Sequence, residues 1–274
     1  MCVTIRRVNL TGSPQVYQRK LTININDGPD DAGEARLSTE IGRIKRIFRY
    51  PVKSMAGVQL DHVGLGWHGL NGDRRFAFRR LADQSGFPWL SASRLPQLLL
   101  YKPIGAAEVD KDLPTHVRTP DGAELELHSD ELQNEVSRRH GSPVQLMQLK
   151  HGIFDEAAVS LINVVTIREL EREADRRLDV LRFRPNIVIE SDGVEPFAED
   201  QWVGKTLRFG TDGPAVSITM RDLRCVMINL DPETAETDSS VMKAALRLNA
   251  NHAGVYATVI CEGELRIDQK VYLV

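Results

Sequence analysis

The chain has 274 residues, 42% hydrophobic and 27% charged, with a formal net charge of -3; this is enough for two modest cores and argues against a general nucleic-acid binder. Three widely spaced cysteines, Cys2, Cys225 and Cys261, form no C-x-x-C pair, which argues against a disulfide framework and a structural zinc site. No apolar stretch approaches the roughly 20 residues needed to span a bilayer and the opening residues lack the apolar core of a signal peptide, so the expectation is a cytoplasmic protein with no membrane or nucleic-acid partner.

Residues 1–40 are rich in Asn, Asp, Gly and Ser and contain the breaker cluster Asp27-Gly28-Pro29-Asp30-Asp31-Ala32-Gly33. They read as a polar leader. From Ile41 the pattern becomes β-like, with Ile44, Ile47 and Phe48 in one run and Val58, Leu60, Val63 and Leu65 in the next. Asn71-Gly72 offers a hairpin turn before the strand-like Phe76-Ala77-Phe78, because both residues tolerate the positive φ of a tight hairpin. Short strands are expected around Leu98 to Tyr101, Thr115 to Thr119, Glu124 to Leu127 and Val144 to Leu149. This half reads as an antiparallel β domain.

A helix follows near the middle. Thr166 and Glu169 have capping-box spacing, and Ile167, Leu170, Ala174 and Leu178 recur at helical intervals. Arg168, Arg172 and Arg176 fall on the opposite face, where neighbouring acids make a solvated charge row the simpler reading. Further strands are expected at Asn186 to Ile189, near Leu207, Ser217 and Val226, at Val255 to Ile260 and at Val271 to Leu273, with a helix from Val241 to Leu248. The fold class is therefore mainly β with some helix, divided near residue 150.

Five places in the chain can carry chemistry. Lys53 and Ser54, in Tyr50-Pro51-Val52-Lys53-Ser54, fall on a connection, where an ammonium beside a hydroxyl suits a phosphate. Arg74 could present its fork of donors to a phosphate or pair with a nearby carboxylate. In Arg182-Phe183-Arg184-Pro185-Asn186, Pro185 is expected to hold Arg184 in an extended conformation at a strand entrance, while Asn186 can donate and accept. In Arg224-Cys225, a lone thiol beside a cation reads either as one soft ligand for a metal or as an ordinary buried cysteine. Tyr256 could offer a hydroxyl or simply fill a core. Nucleotide-hydrolase, serine-hydrolase and zinc-protease motifs are missing, and Gly64-Leu65-Gly66-Trp67-His68-Gly69 has dinucleotide-loop spacing but no helix to follow it.

In this order, Tyr50-Pro51-Val52-Lys53-Ser54 with Gly57-Val58, Gly72-Asp73-Arg74, Phe183-Arg184-Pro185-Asn186-Ile187-Val188, Arg224-Cys225 with Asp231-Pro232-Glu233-Thr234, and Val271-Tyr272-Leu273 resemble the MOSC family of molybdenum-cofactor proteins. The likeness is to its two-domain amidoxime-reducing branch and runs from about Ile41 to Val274. It implies an N-terminal antiparallel β domain over 41–150 and a MOSC β-barrel domain with peripheral helices over 151–274. It also implies that Cys225 is the catalytic ligand of a molybdenum-molybdopterin cofactor with Arg224 its cationic neighbour, and that Lys53, Ser54, Arg74, Arg184, Asn186 and Tyr256 contact the pyranopterin and its phosphate, with Asn163 a further candidate. Such a cofactor is expected where the two domains meet. The implied activity is reduction of N-hydroxylated compounds such as amidoximes and hydroxylamines, with electrons from a separate protein, either ferredoxin-like or a b-type cytochrome with its reductase. A cofactor-binding or sulfur-carrying protein without turnover is the alternative, and the resemblance also admits pyridoxal phosphate as a ligand.

Overall fold

The computed structural model describes residues 38–105, 113–152 and 156–274. The leader expected over 1–40 lies almost wholly outside the described residues. The first half runs through β1 (Thr39–Arg49), β2 (Val58–Leu60), β3 (His62–Gly66), β4 (Gly69–Leu70), β5 (Phe76–Arg80), β6 (Lys102–Ile104), β7 (His116–Arg118), β8 (Glu124–Glu126), α1 (Asp130–His140) and β9 (Val144–Gln148). The second contains β10 (Val159–Asn163), α2 (Val164–Ala174), β11 (Ile187–Glu190), β12 (Thr206–Phe209), β13 (Ala215–Leu223), α3 (Ser239–Asn249), β14 (His252–Cys261), β15 (Gly263–Arg266) and β16 (Lys270–Leu273).

Seven strands close into a barrel in the order β11-β10-β14-β13-β12-β16-β1, with β1 pairing back to β11 and β2 attached to the free side of β1. Strand β1 therefore seals a barrel whose other six staves come from the second half. Its register against β11 shifts between Ile44 and Arg46. The bulge explains the broken alternation, because Ile44 and Ile47, three apart, both enter the barrel core with Leu161, Ile187, Phe209 and Val271. Phe48 instead faces a layer formed with Ile167 and Leu170 of α2 and Val241 and Ala244 of α3. A third core, around Phe76, Phe78, Leu98, Tyr101, Leu132 and Val136, lies under β5 and α1.

The mainly β architecture agrees with the sequence, and several local expectations need correction. Asn71-Gly72 does form a turn, with Gly72 at φ 77, but it joins no hairpin: β4 pairs with β3, and β5 pairs with the distant β9. Leu98 to Tyr101 is mostly a 3-10 turn over Pro96–Leu100, and Val226 begins another over Val226–Asn229; short apolar runs suit either geometry. Helix α2 starts at Val164, capped by the Asn163 side chain, and stops before Leu178. Thr166 is unavailable as a cap because its buried hydroxyl donates to Glu199 Oε2 at 2.8 Å and accepts from the Phe197 N–H at 2.8 Å. The arginine row behaves as a solvated face, with Arg172 paired to Glu169 and Arg176 to Asp238.

Glu199 is fully buried, and burial pushes its carboxyl up to about 7 from an ordinary value near 4.5. Between those values the folded protein holds a proton that the unfolded chain has released, so stability falls as pH rises through this window. Glu199→Gln should reduce that slope and raise the melting temperature at pH 8 by on the order of 5 °C. Thermal unfolding of both proteins at pH 5 and pH 8 measures it.

Candidate functional site

On the outer face of the barrel a cavity of about 340 Å³ is lined by Lys53, Ser54, Arg74 and Phe87 from the first half and by Ser160, Arg182, Arg184, Asp222, Arg224, Cys225 and Tyr256 from the second. Of the nine residues singled out in the sequence, seven line it. Asn186 lies just beneath and Asn163 does not line it. Five of the lining side chains are cations, Lys53, Arg74, Arg182, Arg184 and Arg224, against two carboxylates, Glu156 and Asp222, and this excess of positive charge makes the interior suited to an anion.

Two of these cations are held by a buried phenol. Tyr50, the residue that follows β1, has the Arg184 guanidinium 4.2 Å and the Arg74 guanidinium 4.9 Å from its ring centroid. Both distances are within the range for cation–π attraction. Its hydroxyl donates to the Pro185 carbonyl at 3.1 Å, and its N–H to Asp73 Oδ1 at 2.6 Å. Burial pushes the phenol well above its ordinary range, against the opposing pull of the two arginines, so it stays neutral. Gly57 makes room for the ring, since a Cβ there would lie 2.5 Å from Tyr50 Cε1. The Tyr50…Gly57 spacing of the sequence thus has a steric cause.

Asn186 ties the strand ends to this platform. Its Nδ2 donates to Asp73 Oδ2 at 3.0 Å and to the Phe48 carbonyl at 3.3 Å, while its Oδ1 accepts from the Ser160 N–H at 3.1 Å and from Arg74 at 3.4 Å. All four hydrogen-bonding positions of the amide are used. Asn186 therefore positions Arg74, which is also ion-paired with Asp73. Asn163 instead caps α2 and donates to Ser191 Oγ at 2.8 Å, away from the cavity.

Three of the lining residues have positive φ: Ser54 at 66, Arg74 at 48 and Arg184 at 47. Left-handed backbone at a residue with a Cβ costs on the order of 1–3 kcal/mol and persists only where the surroundings enforce it. Arg184 is thus not extended, as Pro185 suggested. Arg224 clamps the preceding carbonyl, donating from Nη1 to Phe183 O at 2.7 Å, while Arg184 Nη1 donates to Met55 O at 2.9 Å. Arg224 also donates from Nε to Ala253 O at 2.6 Å and pairs with Asp222 at 2.9 Å. Most of its donors are committed to holding the walls together.

Cys225 is exposed and opens the 3-10 turn Val226–Asn229, whereas Cys261, on β14, is half-buried and outside the cavity lining. The buried Asp222 accepts from Ser160 Oγ at 3.2 Å and from the Tyr256 hydroxyl, and burial pushes its carboxyl up to about 6 despite Arg224. Sequence reasoning missed Asp222, Ser160 and Phe87 as cavity residues. Asp222 lies on β13 and pairs with Arg224 just beyond the strand's end.

Comparison with known proteins matches residues 41–166 to the MOSC N-terminal beta barrel domain and residues 137–272 to the MOSC domain. The chain belongs to the MOSC family. It is 26% identical over 261 residues to the molybdenum cofactor sulfurase of Arabidopsis thaliana, covering 75% of this chain and 31% of that protein. It thus spans about a third of the plant relative. It is 23% identical over 240 residues to mitochondrial amidoxime-reducing component 1 of Homo sapiens, covering 73% of this chain and 69% of the relative. Among solved structures, the YUAD protein from Bacillus subtilis aligns with a TM-score of 0.47 at 13% identity, over 86% of this chain and 98% of that one.

The platform can be tested by two substitutions. Tyr50→Phe loses one buried hydrogen bond and should cost about 1 kcal/mol of stability. Tyr50→Leu also removes the π face from both guanidinium groups and should weaken binding of inorganic phosphate about tenfold. Urea unfolding and calorimetric phosphate titration separate the two effects.

Proposed function

We propose that this MOSC protein is a molybdenum-cofactor-dependent oxidoreductase that reduces N-hydroxylated compounds, such as amidoximes and hydroxylamines, with electrons from a separate redox protein. The observation that carries the reading is one accessible thiol, Cys225, at a cavity whose interior is cationic. That donor set fits a molybdenum-pyranopterin: a thiolate for the soft metal, and arginine and lysine groups for a phosphate-bearing tail. The relative named for amidoxime reduction covers most of the chain and supports the same chemistry.

The bound cofactor would supply a metal able to take oxygen from an N–O bond. Cys225 Sγ is the proposed metal ligand. Lys53 and Ser54, with Arg74 and Arg184 on the Tyr50 ring, orient the anionic tail. Reducing N–OH to N–H and water consumes two electrons, supplied by the partner protein, and two protons. Asp222 is the cavity group suited to hold one of those protons near neutral pH, at its carboxyl beside the Tyr256 hydroxyl. It is faced by Arg224 and Arg74 as cations and by Ser160 and Tyr256 as hydroxyls. A second reading, a carrier of cofactor or sulfur, draws on the exposure of the same thiol and on the sulfurase relative.

Molybdenum-loaded, chemically reduced protein should convert benzamidoxime to benzamidine while the metal is reoxidised, and Cys225→Ser should lose that turnover with its fold intact. Verified loading and reduction with no turnover across N–O compounds, together with transfer of cofactor or sulfur to an acceptor protein, would replace the reductase by the carrier. Because Asp222 gives up its proton as pH rises through about 6, turnover limited by that proton should fall over the same interval. Asp222→Asn should flatten this limb of the rate profile and lower the rate below pH 6 by about 10²-fold.

A further inference from the structure

Around the opening of the cationic cavity the surface turns apolar. Phe87 is 46% exposed, Leu223 63% and Val226 52%, and Phe87, Leu223 and the half-buried Met227 all line the cavity. Leu223 and Val226 flank Arg224-Cys225 directly in the chain. An exposed large apolar side chain needs no explanation when scattered singly. Two at one opening, Phe87 and Leu223, contributed by both halves of the chain and joined there by Met227, do.

Phe87 is held in place on its loop. Arg80 N donates to Pro88 O at 2.8 Å, Arg80 Nη2 donates to Phe87 O at 3.0 Å, and the Arg80 guanidinium is ion-paired with Asp83. Asp83 Oδ1 accepts from the Ser85 N–H at 2.7 Å, and Ser85 Oγ from the Phe87 N–H at 3.3 Å. This network fixes the backbone of a phenyl group that the core does not need. The ring lies 5.3 Å from Lys53 Nζ, so it spans the boundary between the cationic interior and solvent.

The geometry points to Phe87 and Leu223 as specificity-determining residues that bind the apolar, planar body of the substrate while its N–O group faces Cys225. The inference rests on the reading of Cys225 as the reaction centre. If the cationic interior belongs to the anionic cofactor, the apolar opening is the surface left for the substrate. A neutral aromatic body gains from burial there, whereas a charged one would be desolvated against apolar side chains at a cost. The favoured substrates are therefore neutral aromatic or extended apolar N-hydroxy compounds rather than small polar ones.

Molybdenum-loaded wild type, Phe87→Ala and Leu223→Ser should be compared on benzamidoxime and acetamidoxime, with pterin content and melting temperature measured alongside. In each variant the ratio of kcat/KM for the aromatic over the small compound should fall about fivefold to tenfold, mostly through KM, with pterin content and melting temperature unchanged. An unchanged ratio in both variants overturns the inference. So does an unchanged ratio accompanied by weaker saturation with the electron donor, which would assign the apolar opening to the donor protein. If the wild type turns over neither compound, calorimetric titration of loaded protein with benzamidoxime decides: binding that weakens in both variants upholds the apolar site although the reductase reading fails, and absent or unaltered binding overturns both.

Discussion

Two guanidinium groups on one buried phenol ring organise this end of the molecule. Arg184 and Arg74 both lie within 5 Å of the Tyr50 centroid, where each attraction contributes on the order of 1–2 kcal/mol once water is excluded. Nearly every other feature of the site serves that arrangement. Gly57 is small because the ring occupies its space, Asp73 neutralises part of the charge, and Asn186 links the Asp73–Arg74 pair to β10 and the end of β1. The cavity is cationic before any ligand arrives. An anion entering it meets guanidinium groups already fixed by the walls, so little side-chain freedom remains to be lost on binding.

The same rigidity has a cost, located at Ser54, Arg74 and Arg184. Their left-handed backbone is unfavourable locally and is enforced from outside, by Arg224 on the Phe183 carbonyl and by hydrogen bonds from Arg74 N to Tyr50 O and from Lys53 N to Phe76 O. Arg224 is thus a brace, whatever its part in the proposed binding of a ligand. Removing it would release two walls at once, so loss of function in such a variant would not by itself reveal a cofactor contact. Cys225 and Phe87 are cleaner probes because they are exposed and hold little together.

What could be read from the sequence follows from how local each signal is. Strands β11 to β14 and β16 of the second half alternate or run apolar and were visible, as was α3, whereas β10 and β15 were not. The pairing of β5 with β9 was not, because a turn at Asn71-Gly72 has the same local chemistry whether the chain continues into a hairpin or leaves for another sheet. Helix α1 was missed despite Ser129 at its start and Gly141 at its end. Lys53, Arg74, Arg184 and Cys225 were legible as motif residues, and the structure brings them together. Asn186 was also legible, but its four internal hydrogen bonds could not be inferred without knowing which strands adjoin it. Asp222 and Phe87 were obscured for opposite reasons, one as an acid among alternating strand residues and the other as an aromatic in a polar loop.

Barrel closure has a consequence for how the protein is made. Strand β1 ends at Arg49 and its neighbour β16 begins at Lys270, 221 residues later. At a synthesis rate of about 5–20 residues per second, roughly 10–45 s separates the two strands as they emerge. Throughout that interval one side of β1 has no partner in the ring, and an open strand edge invites pairing with other chains. Gly42, Arg43 and Lys45 on that strand place a glycine and two cations where such pairing would begin, which is a recognised way of discouraging it. The nascent chain therefore has Lys53 and Ser54 in hand long before Cys225, and acquisition of any ligand that needs both ends of the cavity must wait until Cys225 has emerged and β16 has closed the ring.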